Sequence, residues 1–194
     1  MNLVRALLLV LLAATLYVGS LVLFPVEKVE VVGLRHLKEE AVLAKAGLYP
    51  GAPWLWILPR RLSPLLQDPW VAEARLEKPK PGVVRLLVRE REPFLPLADG
   101  AALAKDGTLL PGGAPHARGP RVEGKGPLPK EALLALAKAY KGAKRLRYTP
   151  AGFYVELPGT VLFAPSAELL LEYAQATWPK GHVYLYSWGV SLRP

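Results

Sequence analysis

Residues 68–93 read Asp68-Pro69-Trp70-Val71-Ala72-Glu73-Ala74-Arg75-Leu76-Glu77-Lys78-Pro79-Lys80-Pro81-Gly82-Val83-Val84-Arg85-Leu86-Leu87-Val88-Arg89-Glu90-Arg91-Glu92-Pro93. Two alternating runs flank a turn rich in Pro and Gly at 78–82. Ala72, Ala74 and Leu76 fall on one side of the first run, and Val84, Leu86 and Val88 on one side of the second. Period-two alternation about such a turn predicts an antiparallel hairpin with one buried face. Pro93 has no N–H to give to a sheet ladder, so it is expected to stop the second strand.

Upstream, a short helix is expected over 59–67, started or kinked by Pro64. Before it, a loop holding Pro50, Gly51 and Pro53 presents Trp54 and Trp56. Together with Trp70, these rings are expected to be loop or core anchors and not a ligand box. Leu37–Ala46 is built of helix formers, and Gly47 is placed for a C-cap. Val26–Val32 alternates apolar and charged residues and stops at Gly33, as a half-buried strand does. The order is therefore strand, helix, helix, strand, strand.

Still further upstream, Ala6–Val26 (ALLLVLLAATLYVGSLVLFPV) holds no charged residue. That is enough chain to cross a hydrocarbon core of about 30 Å at about 1.5 Å per residue. A cleaved signal peptide would have a shorter apolar core ending in small residues. Ala13, Ala14, Gly19 and Ser20 are weak candidates for such a site, but the run continues through Leu21–Phe24, which favours an uncleaved anchor. Arg5 and the amino terminus precede the span, while Glu27 and Lys28 cancel after it. The positive-inside rule then places a five-residue tail in the cytoplasm and the bulk of the chain outside.

Downstream, Leu103–Leu110 reads as strand, Asp106-Gly107 turn, strand. The Gly and Pro content of 111–129 predicts a loop. Lys130–Lys141 carries an apolar stripe of Leu133, Leu134, Leu136, Ala137 and Tyr140. Three strands follow at 145–148, 153–157 and 160–164, with Pro158-Gly159 suited to a type II turn. Ser166 caps a helix to about Thr177, and Val183–Leu192 is expected as one last strand. Its alternation sets Tyr184, Tyr186 and Trp188 on one face and Val183, Leu185 and Ser187 on the other.

The chain is α+β: an N-terminal transmembrane helix with its tail (1–25), a β-α-α-β-β domain (26–93), and a β domain of mixed strands with two helices (94–194). Of its 194 residues, 25 are Lys or Arg, for a net charge of +9. These cations are dispersed and mostly sit beside glutamates, as in Arg89–Glu92, so no nucleic-acid surface is expected. Attraction to anionic lipid heads or envelope polymers fits better, and a solvated surface fits best. With no cysteine, disulfides, zinc fingers, iron–sulfur clusters and thiol nucleophiles are excluded. His36, His116 and His182 are far apart in sequence, and the serines lie in no Gly-x-Ser-x-Gly setting. No phosphate-binding glycine loop is present. No catalytic residue, cofactor or metal site is therefore expected, and the chain is read as a binding protein and not an enzyme.

The β-α-α-β-β order, the Asp68-Pro69-Trp70-Val71 segment before the hairpin, and the closing Glu90-Arg91-Glu92-Pro93 together resemble the bacterial cell division family FtsQ/DivIB and its POTRA domain. The position directly after one membrane helix matches too, and the resemblance covers about residues 1–110. It implies a single-pass protein of the cell inner membrane at the division septum, with the N-terminus inside and the C-terminal domain outside the cytoplasm. The second block, strand, helix, meander, helix, strand, resembles the β domain that follows POTRA in that family. There the C-terminal strand is an interaction edge that accepts a strand from FtsB (DivIC), which arrives with FtsL. The resemblance thus implies FtsB/DivIC and FtsL as partners, with FtsW, FtsI and other divisome proteins beyond them, and no nucleic acid. Carried onto this sequence, the partner-binding residues are Tyr184, Tyr186, Ser187, Trp188, Gly189, Val190 and Leu192, with Glu90 and Arg91 as a POTRA surface. In the family's last strand an acidic and a basic residue stand where this chain has Tyr184 and Tyr186. The rival reading is a POTRA-containing outer-membrane assembly or transport component. Those proteins carry several POTRA repeats and a barrel, for which about a hundred further residues leave no room.

Overall fold

α1 (Leu3–Leu23) takes up most of the apolar run. It is the one helix among the described residues long and apolar enough to cross a membrane, and its side chains are almost all uncovered. The computed structural model describes residues 3–193, so the first two residues of the expected cytoplasmic tail, and Pro194, lie outside it.

The first unit runs to Arg91. After α1 come β1 (Lys28–Val32), α2 (Glu39–Ala46), α3 (Ser63–Leu66), β2 (Val71–Lys80) and β3 (Val83–Glu90). β3 lies centrally, antiparallel to β2 and parallel to β1. Parallel pairing of β1 with β3 requires the chain to cross back, and α2 and α3 make that crossing. Val84, Leu86 and Val88 are buried as the alternation predicts, and they meet Val42, Ala46, Ile57 and Leu65 in one core. Gly47 sits at φ 61° and donates its N–H to the Ala44 carbonyl, which ends α2. Of the helix expected over 59–67, the structure forms a 3-10 turn (Pro59–Leu62) and then the single turn of α3. Pro64 sits near the start of α3, where its missing N–H leaves no helical bond unmade.

In the second unit, from Glu92, Pro93 opens a strand. β4 (Pro93–Pro96), β5 (Ala102–Ala104) and β6 (Leu109–Leu110) form a small antiparallel sheet, with Asp106-Gly107 in the turn between the last two. The stretch 111–129, where composition predicts only loop, contains β7 (Arg121–Gly124). The four residues of this strand are too few to show a period; parallel pairing to β8 forms it and buries Val122. Then follow α4 (Lys130–Ala139), β8 (Arg145–Thr149), β9 (Gly152–Leu157), β10 (Thr160–Ala164), α5 (Ala167–Glu172), β11 (Gly181–Tyr186) and β12 (Gly189–Arg193). They build one sheet in the order β12-β11-β10-β9-β8-β7.

α4 and α5 supply Leu133, Leu136 and Leu170 to the core formed with Val122, Leu146, Val155, Leu162, Val183 and Leu185 of the sheet. Ser166 caps α5 by accepting the Leu169 N–H. The buried Tyr140 hydroxyl donates to the Leu170 carbonyl at 2.5 Å and so ties α4 to α5. Burial pushes its pKa up to about 12, so it remains a donor across the physiological range. The chain is α+β as its patterning predicts, with an apolar N-terminal helix, a POTRA-like region, and a mixed sheet with helices.

Candidate partner interface

The final stretch is two strands, where alternation predicts one. Ser187-Trp188 turns the chain back, and β12 pairs antiparallel with β11, Tyr186 opposite Gly189 and Val183 opposite Leu192. The signal for this was in the apolar phase. Apolar positions are odd at Val183 and Leu185 but even at Val190 and Leu192, and such a switch marks a break in simple alternation, here the reversal at Ser187-Trp188. β12 is a terminal strand of its sheet, so among the described residues one side of its ladder has no strand partner. None of its residues is buried. Val190 (46% exposed) and Leu192 (57%) lie opposite the buried Leu185 and Val183. They extend the apolar face beyond what α4 and α5 cover. An edge with open backbone groups and unmet apolar side chains can take an added strand.

On the other face, the register aligns Arg147, Tyr154, Phe163, Tyr184 and Ser191 across five strands. The Arg147 guanidinium lies 4.2 Å from the Tyr154 ring centroid. Tyr154 and Phe163 stand 4.7 Å apart, Phe163 and Tyr184 5.9 Å, and Phe163 and Tyr186 6.4 Å. Trp188 stacks on Tyr186 at 5.1 Å with only 5° between the planes, and Arg193 lies 5.6 Å from the Tyr184 centroid. The result is a row of rings with a guanidinium near either end. Trp188, expected on the same face as Tyr184 and Tyr186, belongs to the turn and rejoins them by stacking, with 80% of its surface exposed. Such rings offer flat apolar area with polar rims and little side-chain entropy to lose. Arg147, Tyr154, Phe163 and Arg193 were not singled out in the sequence, because only the register across β8–β12 brings them into line.

Glu90 and Arg91 both make hydrogen bonds within the first unit. The Glu90 side chain is 3% exposed. It accepts the N–H groups of Arg35, His36 and Leu37 at 2.9–3.1 Å and contacts His36 Nδ1 at 2.9 Å. Burial works to raise its pKa. The N–H donors and the imidazole outweigh burial and hold the carboxyl below its ordinary range. Arg91 Nη1 donates to the carbonyls of Pro69 and Val71. Glu90 thus gives acceptors to the loop after β1, and Arg91 gives donors to the carbonyls at the start of β2. Asp68 acts similarly: burial raises its pKa, but Lys45 and the Trp70 N–H pull it below its usual value.

The tryptophans divide. Trp54 packs against the first core and donates Nε1–H to the Val83 carbonyl, while Trp56 donates to Ser20 Oγ of α1 at 2.8 Å. Among the described residues no three His, Asp or Glu side chains gather as a metal would require.

Residues 24–91 match the family described as POTRA domain, FtsQ-type. Among curated proteins, the cell division protein FtsQ of Chloroflexus aurantiacus is 38% identical over 72 residues, which is 37% of this chain and 26% of that protein. The alignment thus spans about a quarter of that relative's length. Helix crossing, hairpin and matched segment together make residues 24–91 a POTRA domain of FtsQ type. Over this stretch the chain is similar to FtsQ/DivIB proteins, and its N-terminal apolar helix fits a membrane anchor.

Proposed function

We propose that this protein is a non-enzymatic divisome component that docks FtsB (DivIC) with FtsL outside the cytoplasm and links them to septal peptidoglycan synthesis. Residues 94–194 are the β domain of this arrangement and 26–93 the POTRA domain, with α1 as a single-pass anchor in the inner membrane. The observation that carries the reading is the unpaired outer edge of β12. A guest strand from FtsB would extend the six-stranded sheet there, its side chains meeting Val190 and Leu192 on one face and the ring row on the other. FtsW and FtsI, as wall-synthesis enzymes, are the further partners to which this docking connects.

The test is co-purification of FtsB and FtsL with the full-length chain. Binding should be abolished by deleting Ser187–Pro194, which removes the turn and β12, and strongly weakened by Val190→Lys with Leu192→Lys in a protein whose circular dichroism is unchanged. Retained binding in both variants rules out β12 as the docking edge. Depletion should give filamentous, unseptated cells; an outer-membrane protein defect in its place points to a transport or assembly role.

A further inference from the structure

The end of α1 does not lead into a free linker. Tyr17 and Trp56 have ring centroids 5.8 Å apart, and Trp56 Nε1 donates to Ser20 Oγ. The Trp54 N–H donates to the Phe24 carbonyl, and Val26 exchanges backbone hydrogen bonds with Gly51 and Ala52. The 3-10 turn Trp54–Trp56 is thereby fastened alongside the last two turns of α1.

Helix length then constrains where this turn sits. A span of about 20 residues that starts at Ala6 ends at about Pro25, so it includes both Tyr17 and Ser20. Were the bilayer to stop short of Tyr17, only Ala6–Leu16 would remain. Those eleven residues rise about 16 Å, roughly half of a hydrocarbon core. The turn fastened to Tyr17 and Ser20 therefore cannot stand clear of the membrane that α1 crosses. Its own surface suits that position: Leu55 (46% exposed), Trp56 (48%) and Leu58 (38%) are large apolar side chains left uncovered. Beside them Lys78 places Nζ 4.9 Å from the Trp54 centroid and donates to the Leu55 carbonyl. A cation among Trp and Leu is the composition of a bilayer interface, where rings sit at headgroup level and a lysine reaches phosphate.

We infer that Leu55, Trp56 and Leu58 form a lipid-docking surface that seats the POTRA domain in the interface of the membrane crossed by α1. The inference rests on α1 as a membrane span. It gives the domain a fixed side toward the lipid: β1 starts next to the residues tied to that turn and extends about 13 Å along its own axis to Val32, at about 3.3 Å per residue.

The absence of native cysteine makes the test direct. Single substitutions Leu55→Cys, Leu58→Cys, Val10→Cys and Val32→Cys in the full chain are labelled with an environment-sensitive fluorophore. Each variant is reconstituted in vesicles of phosphatidylcholine and phosphatidylglycerol carrying a nitroxide near the headgroup or deep in the chains. Position 10 should be quenched by the deep nitroxide, positions 55 and 58 by the shallow one, and position 32, equally apolar and exposed, by neither. Quenching at 10 with none at 55 and 58 overturns the lipid-docking surface while leaving the span. No quenching at 10 overturns the span and the inference with it. Equal quenching at 32, 55 and 58 shows indiscriminate adsorption and also overturns it. The 55 and 58 positions are independent, so misfolding of one variant leaves the other to decide.

Discussion

The Glu90 end of the β1-β3-β2 sheet and the Tyr184–Trp188 end of the six-stranded sheet are both strand termini crowded with large side chains that carry polar groups. One is closed and the other open. At the first, a carboxylate is turned inward onto three consecutive N–H groups, and Arg91 ties down two carbonyls. At the second, rings stack on one another along a sheet face and Trp188 remains 80% exposed. The difference follows from what each terminus meets. β3 is flanked by strands on both sides and ends beside a loop whose N–H groups Glu90 accepts, whereas β12 has a strand neighbour on one side only among the described residues. Polar residues that bond loop backbone groups become structure, and residues beside an open edge remain available for a partner.

If the first terminus is closed as described, the largest effect should come from Gly33, which leads from β1 into that loop. It sits at φ 98°, and a Cβ there would lie 2.0 Å from the Val88 carbonyl oxygen. Gly33→Ala should destabilise the first unit by about 3 kcal/mol or more, from left-handed strain and overpacking. Hydrogen exchange across β1 and β3 measures this, and unchanged protection would show that the loop can move aside.

Next in size is Glu90→Ala, which strands three N–H groups and should cost the first unit about 2–3 kcal/mol. The acid dependence tests the mechanism. The folded pKa lies below the ordinary value of 4.5, so the stabilisation is complete above that value and is lost as pH falls through the folded pKa. The stability gap between wild type and Glu90→Gln should therefore narrow on acidification below 4.5. A gap constant down to the acid transition would mean that the charge of Glu90 contributes nothing.

Smaller again is Tyr140→Phe, a probe of the second unit's interior. It removes the donor to the Leu170 carbonyl and should lower protection in α4 and α5 by about 1 kcal/mol. Protection in β1–β3 should be untouched.

What the residues disclosed without coordinates follows the same division. The hairpin at 71–90, the Gly47 cap, the Asp106-Gly107 turn and the Ser166 cap are local, each written within a few neighbouring residues. β7 was hidden because parallel pairing with β8, and not its own four residues, makes it a strand. The role of Glu90 was hidden because its donors lie more than fifty residues away. The ring row was half visible: Tyr184, Tyr186 and Trp188 stand out in the sequence, but Tyr154 and Phe163 join them only through register. The apolar phase switch between Leu185 and Val190 did mark the last hairpin, and it is the kind of signal that a search for simple alternation passes over.

The smallest expected effect sharpens the comparison most. Trp188 is stacked on Tyr186, yet most of its surface faces outward, so its ring is held by one neighbour and not by a core. Trp188→Ala should change the stability of the second unit by less than about 1 kcal/mol, the range of an exposed aromatic pair. Glu90→Ala, by contrast, removes a side chain of half the size at the closed terminus and should do several times the damage. If the two variants proved equally destabilising, the hairpin turn would depend on Trp188 as the β1 loop depends on Glu90. The ring would then be a fastener, and the open terminus would reduce to the β12 edge and its two aliphatic residues.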